Sequence, residues 1–117
     1  MLKLIALISK KPEISDHDFQ LYYENIHAPL IRSIFPMLLE YKRTFLPRSN
    51  MLSGDFTLEA EKLENVVSVI TELVFENQND LDLFMELASK EDIVERIRED
   101  ESNFLNSEKT IMYQLNE

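Results

Sequence analysis

The chain contains no cysteine and only one glycine among its 117 residues. Without cysteine, disulfides, thiolate nucleophiles and thiolate metal sites are all excluded. Loops that cradle phosphate groups need several glycines for close approach of the backbone, so a single Gly54 argues against the usual nucleotide-binding sites. The sequence also lacks the GxSxG pattern of serine hydrolases and the HExxH pattern of zinc proteases. Most of the familiar sequence signatures of enzymes are therefore missing.

Long apolar runs and a basic surface are missing as well. No apolar run approaches the roughly 20 residues that a membrane-spanning helix needs, and the opening MLKLIALISKK is too short for a secretory signal. The net charge is −10, of which residues 1–46 contribute +1 and residues 47–117 contribute −11. An acidic surface repels phosphate backbones and anionic lipids. We therefore expect a cytoplasmic protein with no nucleic-acid partner and no membrane partner.

The order of the predicted elements indicates an α+β fold. Short apolar segments at 2–9, 37–46, 65–75 and 108–117 predict four strands. Ser15 and Asp18 form a capping box that predicts a helix from Asp16, and a helical period returns after Asn77. The order β-α-β-β-α-β is typical of a single ferredoxin-like domain over 1–117, with an antiparallel sheet and both helices on one face. Residues 47–64 show no stable period and predict a surface loop.

The predicted strands are apolar on both faces, although the helices can cover only one. In the first strand Leu4 and Ala6 point to one side, while Ile5 and Leu7 point to the other. An antiparallel sheet with one solvated face normally alternates between apolar and polar residues. A second copy of the sheet would bury the remaining apolar face, so we expect a homodimer.

The first predicted helix carries the main candidate residues. Phe19, Tyr22, Tyr23 and Ile26 follow the i, i+3, i+4, i+7 spacing of a stripe that faces the core. Pro29 disfavours helical geometry in the residue before it, so the helix should end or kink near His27.

These segments resemble the EthD-like family. The resemblance rests on KKPEISDHDFQLYYENIHAPLIRSIFPMLLEYKR, with its F-x-x-Y-Y, H-A-P-L and F-P motifs, and on the downstream E-D-E-x-x-F segment and final strand ending in Glu. It implies a dimeric α/β barrel, in which two ferredoxin-like subunits pack sheet on sheet, and a variable loop over 47–64. Tyr23 departs from the family pattern, which often has tryptophan there.

His27 is the strongest catalytic candidate. Its imidazole titrates near neutral pH and suits a general acid or base, and Tyr23 lies four residues earlier on the same helical face. His27 falls on the histidine of the HAPL-like motif, which the resemblance favours as a functional position. The alternative is that His27 only interacts with the last carbonyls of the helix while the aromatic pair fills the core.

Three further residues are candidates for binding a substrate. Tyr22 and Tyr41 are expected to shape a pocket, and Arg43 could orient an acidic or phenolic ligand. Arg43 could instead meet a carboxylate across a dimer edge, with Glu72 as a possible partner. We expect Phe104 to lie in the core, and we expect Asp100 and Glu101 to lie on the helix surface or to cap the helix.

From these residues and from the resemblance to the EthD-like family, we expect a small homodimeric enzyme that needs no cofactor and no metal. Its substrate would be a small hydrophobic, aromatic or polyketide-like compound. The enzyme would be either a monooxygenase-like oxidoreductase or a lyase, with cyclisation and decarboxylation as the other reaction types. A non-catalytic dimer that binds a hydrophobic metabolite or assists a redox partner is the alternative. Haem binding through His27 is a third hypothesis. Glu24 and His27 have the E-x-x-H spacing of di-iron sites, but the expected fold does not bring two such motifs together.

Overall fold

The computed structural model describes residues 1–50 and 66–116. It contains β1 (Leu2–Ile8), α1 (Asp16–Tyr22), a π-helical turn (Tyr23–His27), α2 (Ala28–Ile34), β2 (Glu40–Phe45), β3 (Val69–Phe75), α3 (Gln78–Ala88), α4 (Glu91–Glu101) and β4 (Ile111–Gln114). Short 3₁₀ turns occupy Arg48–Asn50 and Ser107–Lys109. Most of the predicted 47–64 loop lies outside the described residues.

The four strands form one antiparallel sheet in the order β2-β3-β1-β4. This order and the α+β arrangement confirm the predicted ferredoxin-like fold. β1 and β3 pair along their whole lengths, from Leu2 opposite Phe75 to Ile8 opposite Val69. Because a row of paired residues lies on one face, the sheet register brings Tyr41, Leu73 and Leu4 together above the helices.

The helices pack on one face of the sheet, and the core lies between the two layers. Ser15 caps α1 by accepting a hydrogen bond from the backbone N–H of Asp18, as the capping box predicts. The largest fully buried side chains are aromatic or β-branched: Tyr23, Phe19, Phe75, Phe104, Val69 and Thr71. None of the helices in the described ranges has the length and hydrophobicity that a membrane span needs.

The opposite face of the sheet carries Ile5, Leu7 and Ile70, all half-buried. Glu72 lies on this same face, with its carboxylate 3.4 Å from Lys3 Nζ and 3.9 Å from Lys42 Nζ. The face is therefore apolar at one end and charged at the other.

The first helix does not end at His27 but continues to Ile34 through the π-helical turn. In that turn the N–H of Ala28 donates to the carbonyl of Tyr23, five residues back. Proline has no N–H and its ring clashes with the carbonyl four residues earlier in a regular α-helix. A wider turn just before Pro29 relieves this clash, so the predicted interruption takes the form of a π-turn.

The extra residue in the π-turn changes which side chain faces the core. A regular α-helix would continue the stripe of Phe19 and Tyr23 at Ile26, but Ile26 is 50% exposed. His27 is buried instead, and the inward stripe continues through Ile31. The prediction that Ile26 faces the core is therefore wrong: the π-turn turns Ile26 towards solvent, while His27, four residues after Tyr23, stays on the buried face. Such turns occur often at functional sites.

Candidate functional site around His27

Aromatic rings enclose His27. The imidazole lies 4.8 Å, centroid to centroid, from the rings of both Tyr23 and Phe104. Phe104 is fully buried and also stacks on Tyr22 at 4.8 Å. These contacts hold the imidazole in one position and keep water away from most of it.

Asp100 binds the imidazole directly. Its Oδ2 lies 2.6 Å from Nδ1 of His27, and both side chains are less than 10% exposed. The other carboxylate oxygen, Oδ1, accepts a hydrogen bond of 2.8 Å from the hydroxyl of Tyr22. Asn103 donates to that hydroxyl in turn, at 3.0 Å. A carboxylate that accepts from Nδ1–H leaves Nε2 as the nitrogen with the free electron pair.

The protonation of His27 reflects two opposing effects. Burial lowers the pKa of His27 below its ordinary value of 6.5, because the charged imidazolium loses its hydration. The hydrogen bond and negative charge of Asp100 act in the other direction and offset only part of this decrease in pKa. His27 is therefore neutral at pH 7 and can accept a proton.

Sequence patterns placed Asp100 on the helix surface, and this prediction is wrong. Along α4 and the residues after it, Ile93, Ile97, Asp100 and Phe104 have the i, i+4, i+7, i+11 spacing of one inward stripe. Asp100 is thus a carboxylate at a core position, and that spacing is the signal that could have identified it. A buried carboxylate requires a partner, which is His27.

A second group of hydrogen bonds joins three buried hydroxyls. The hydroxyl of Tyr23 lies 2.7 Å from Oγ1 of Thr71, and the hydroxyl of Tyr41 donates to that of Tyr23 at 3.3 Å. Burial raises the pKa of Tyr23 and also that of Tyr41. Both phenols therefore remain neutral and can act as hydrogen-bond donors at physiological pH. No pattern in the sequence indicates that Thr71 takes part.

Arg43 is held by Glu24 rather than by Glu72. Its Nε and one terminal nitrogen donate to the two carboxylate oxygens of Glu24 at 2.9 and 2.7 Å. The hydrogen bonds from Arg43 lower the pKa of Glu24, which therefore stays charged. The guanidinium carbon lies 4.7 Å from the centre of the Tyr41 ring, and the guanidinium also donates to the carbonyl of Tyr41. Arg43 thus positions Tyr41, which is the role that the geometry gives it.

A cavity of about 380 Å³ opens beside this site. His27, Tyr23, Tyr41 and Thr71 line it, whereas Tyr22 and Arg43 are not among its lining residues. The rest of the lining is mainly apolar: Ala6, Ile8, Ile31, Phe35, Leu73, Phe84, Met85, Ala88, Val94, Ile97 and Met112. A cavity of this size with an apolar wall and a few converging polar groups suits a small organic ligand.

Of the five predicted site residues, three line the cavity and two support it. Tyr22 holds Asp100, which holds His27, and Arg43 holds Tyr41. Tyr22 and Arg43 therefore contact residues of the site without lining the cavity, and their direct binding of a substrate stays a prediction.

Glu24 and His27 do not converge despite their E-x-x-H spacing. The carboxylate of Glu24 is bound to Arg43, whereas His27 is bound to Asp100. Within the described ranges, no group of three or more histidine, aspartate and glutamate side chains is arranged to hold a metal ion.

Both the sequence and the fold of the chain are similar to those of known proteins. A family model of the EthD domain matches residues 11–108. An EthD family protein from Bacillus halodurans is 22% identical, with a TM-score of 0.62 over 100% of this chain and 98% of that one. A protein from Arabidopsis thaliana is 14% identical, with a TM-score of 0.61 over 100% of this chain and 95% of that one.

A third similar structure, from Bacteroides fragilis, is described as a dimeric protein of unknown function with a ferredoxin-like fold. It is 12% identical, with a TM-score of 0.54 over 99% of this chain and 95% of that one. At these identities the solved structures share the fold of this chain. No curated protein matches the sequence.

Proposed function

The chain belongs to the EthD family, and from this starting point we propose that it is a cofactor-independent enzyme with His27 as its acid/base. The substrate would be a small aromatic or polyketide-like compound bound in the cavity beside His27. The reaction would be of the oxidoreductase, cyclase or decarboxylase type. One observation carries the proposal: a buried, neutral histidine lines an apolar cavity while Asp100 holds its other nitrogen at 2.6 Å.

These reaction types share a proton transfer that His27 can perform. Cyclisation and cofactor-free oxygenation begin when a base removes a proton from carbon next to a carbonyl or from a phenol. Decarboxylation ends when an acid returns a proton to the resulting carbanion or enolate. In the first two reactions Nε2 of His27 takes the proton. In decarboxylation Nε2 first takes the proton of the substrate's carboxylic acid and, after CO₂ has left, returns it to carbon. In each case Asp100 accepts from Nδ1–H and stabilises the imidazolium that forms.

Tyr23 and Tyr41 supply the matching electrostatic element. When a proton leaves carbon, negative charge develops on the neighbouring carbonyl oxygen, and a positioned donor stabilises it. Both phenols line the cavity and remain protonated because burial raises the pKa of each. A hydroxyl of this pair that turns from its present partner to the substrate oxygen would stabilise the enolate.

One observation favours the alternative of a non-catalytic protein that binds a hydrophobic metabolite or assists a redox partner. In the part of the chain that the structure describes, every fully buried side-chain nitrogen and oxygen atom already has a hydrogen-bond partner. The fully buried polar atoms around His27 are thus satisfied without a ligand, as in a purely structural network.

Nuclear magnetic resonance of the two histidines separates these functions. We expect the pKa of His27 to lie below 6.5 and to change when a phenol, a quinone or a β-keto compound fills the cavity. His17 is exposed in the first turn of α1, and its signals should not respond to the same compounds. If the titration of His27 is indifferent to every compound in the panel, the proposal that His27 works on a bound substrate is wrong.

We also propose that the chain functions as a homodimer that packs its open sheet faces together. The half-buried Ile5, Leu7 and Ile70 on that face support the proposal, as does the dimeric description of the Bacteroides fragilis protein. Charged Lys3, Glu72 and Lys42 beside them provide polar contacts at the edge of such an interface.

A charge placed on the open face should therefore dissociate the dimer. We expect sedimentation velocity at micromolar concentration to show a dimer for the parent protein and a monomer for Ile70→Lys, because the lysine would be buried without a partner. Leu83→Lys, on the exposed surface of α3, is the matched control and should remain dimeric. A monomeric parent protein would contradict the proposal outright, and circular dichroism confirms that each variant is folded.

A further inference from the structure

The residues at the mouth of the cavity differ from those inside it. His27, Tyr23, Tyr41 and Thr71 are all buried, so the polar groups of the candidate site lie in the interior. Three lining residues are exposed, namely Met85, Met112 and Arg98. A ligand that reaches His27 from solvent therefore passes two methionine side chains and one guanidinium group.

Arg98 lies there because of its place on α4. Val94, Ile97, Arg98 and Glu101 have the i, i+3, i+4, i+7 spacing of one helical face, and all four line the cavity. On this face an arginine stands where the pattern would otherwise continue with an apolar residue. Arg98 is thus part of the cavity wall, although α4 as a whole is rich in charged residues.

The charge of Arg98 has no counterpart in the cavity that neutralises it directly. Among the described lining residues Arg98 is the only lysine or arginine, and Glu101 is the only carboxylate. No ion pair found between described residues includes Arg98, so its guanidinium is more than 4 Å from the carboxylate of Glu101. Arg98 therefore keeps donors that a ligand can use.

Glu101 lies on the same helical face as Arg98 but forms no ion pair with it. Burial raises the pKa of Glu101, the negative charge of Asp100 raises it further, and only Arg98 acts in the opposite direction. The carboxyl of Glu101 therefore gains a proton more readily than an ordinary glutamate. The exposed part of the cavity lining thus carries the guanidinium of Arg98, although the net charge of the whole chain is −10.

We infer that Arg98 determines substrate specificity by binding an anionic group of the ligand at the cavity mouth. The ligand class is then an elongated aromatic or apolar acid. Its carboxylate lies at Arg98, its hydrocarbon body contacts Met85 and Met112, and its carbonyl or phenol end faces His27. This inference rests on the proposed function in one respect, that the cavity beside His27 receives a small ligand.

The test compares two probes of the same shape, 6-hydroxy-2-naphthoate and its neutral amide, 6-hydroxy-2-naphthamide. Their fluorescence gives the dissociation constant for the full chain directly. We expect the carboxylate to bind about tenfold more tightly than the amide, the size of one charge-assisted hydrogen bond at a partly exposed site. Arg98→Gln should remove this preference while leaving the affinity for the amide unchanged.

Arg96→Gln is the matched control, because Arg96 is exposed on the same helix but does not line the cavity. It makes the same change in net charge and should preserve the tenfold preference. If Arg96→Gln reduces the preference as much as Arg98→Gln does, the effect is one of overall charge and the inference is wrong.

The remaining outcomes separate this inference from the proposed function. Equal affinity of the parent protein for both probes would overturn the role of Arg98 while leaving the acid/base role of His27 intact. Failure of both probes to bind would overturn the inference and also contradict a ligand site beside His27. A carboxylate preference that survives in Arg98→Gln would assign the anion site to another residue.

Discussion

His27→Gln should slow proton transfer by about 10²- to 10⁴-fold, the usual contribution of a general acid or base. The probe reaction is exchange of the α-protons of α-tetralone, an aryl ketone, with deuterium from the solvent, followed by proton resonance. Glutamine keeps a polar side chain of similar length but cannot accept a proton near neutral pH. The loss should therefore appear in the rate and much less in the affinity for the ketone.

The pH dependence of this rate has a definite sign. The base form of His27 is the neutral imidazole, and burial lowers the pKa of His27 below 6.5. The rate should therefore be constant around neutral pH and fall only when the pH drops below about 6.5 and through the lowered pKa of His27. In His27→Gln the residual rate should not show this fall at acidic pH.

His17→Gln is the control for the same chemical change at an exposed position. It should exchange the ketone at the parent rate. If His17→Gln and His27→Gln are equally active, or if the parent protein does not accelerate exchange of any ketone that it binds, the acid/base role of His27 is refuted. Retained affinity without any exchange would favour the non-catalytic binding protein.

Phe104→Ala should reduce the free energy of unfolding by about 3–5 kcal/mol, the range measured for large aromatic truncations in protein cores. Phe104 is fully buried, and its ring lies between 4.8 and 5.6 Å from the rings of Phe19, Tyr22, Tyr23 and His27. Its removal leaves a cavity between α1, the π-turn and the end of α4. Urea unfolding followed by circular dichroism measures the change.

Two further variants define the origin of this loss. Phe104→Leu keeps most of the buried volume and should be considerably less destabilising than Phe104→Ala. Leu83→Ala truncates an exposed side chain and should stay within about 0.5 kcal/mol of the parent protein. A loss below about 1 kcal/mol in Phe104→Ala would mean that this ring does not anchor the core around His27.

The fold could be predicted from the sequence because its signals are local. The strands appear as short apolar segments, and α1 begins where Ser15 and Asp18 form a capping box. The order of these elements along the chain then leaves few possible strand orders in the sheet, and the observed order β2-β3-β1-β4 is one of them. The residue pairs in the sheet did not have to be known for this prediction.

The site could be predicted only in part, because its partners are distant in sequence. His27 and Tyr23 are four residues apart, and the helical pattern places both as candidates. Asp100, by contrast, is 73 residues from His27, and Thr71 is 48 residues from Tyr23. Contacts of this kind depend on how α4 and β3 pack against α1, which no local pattern specifies.

The π-turn is the feature that a regular helical period could not predict. A period of 3.6 residues places both Ile26 and His27 on the side of Tyr23, and it does not show that only His27 is buried. Pro29 indicated an interruption at the correct place but not its form. One extra residue in one turn therefore exposes Ile26 and leaves His27 as the side chain that lines the cavity.

The tautomer of His27 tests the central claim most directly. Long-range proton–nitrogen correlation spectra of nitrogen-15-labelled protein at pH 7 distinguish the two neutral tautomers and the charged imidazolium. We predict a neutral ring with the proton on Nδ1, shared with Asp100, and with Nε2 free to accept a proton from a bound substrate. A proton on Nε2, or a doubly protonated ring at that pH, would contradict the account of His27 as the base.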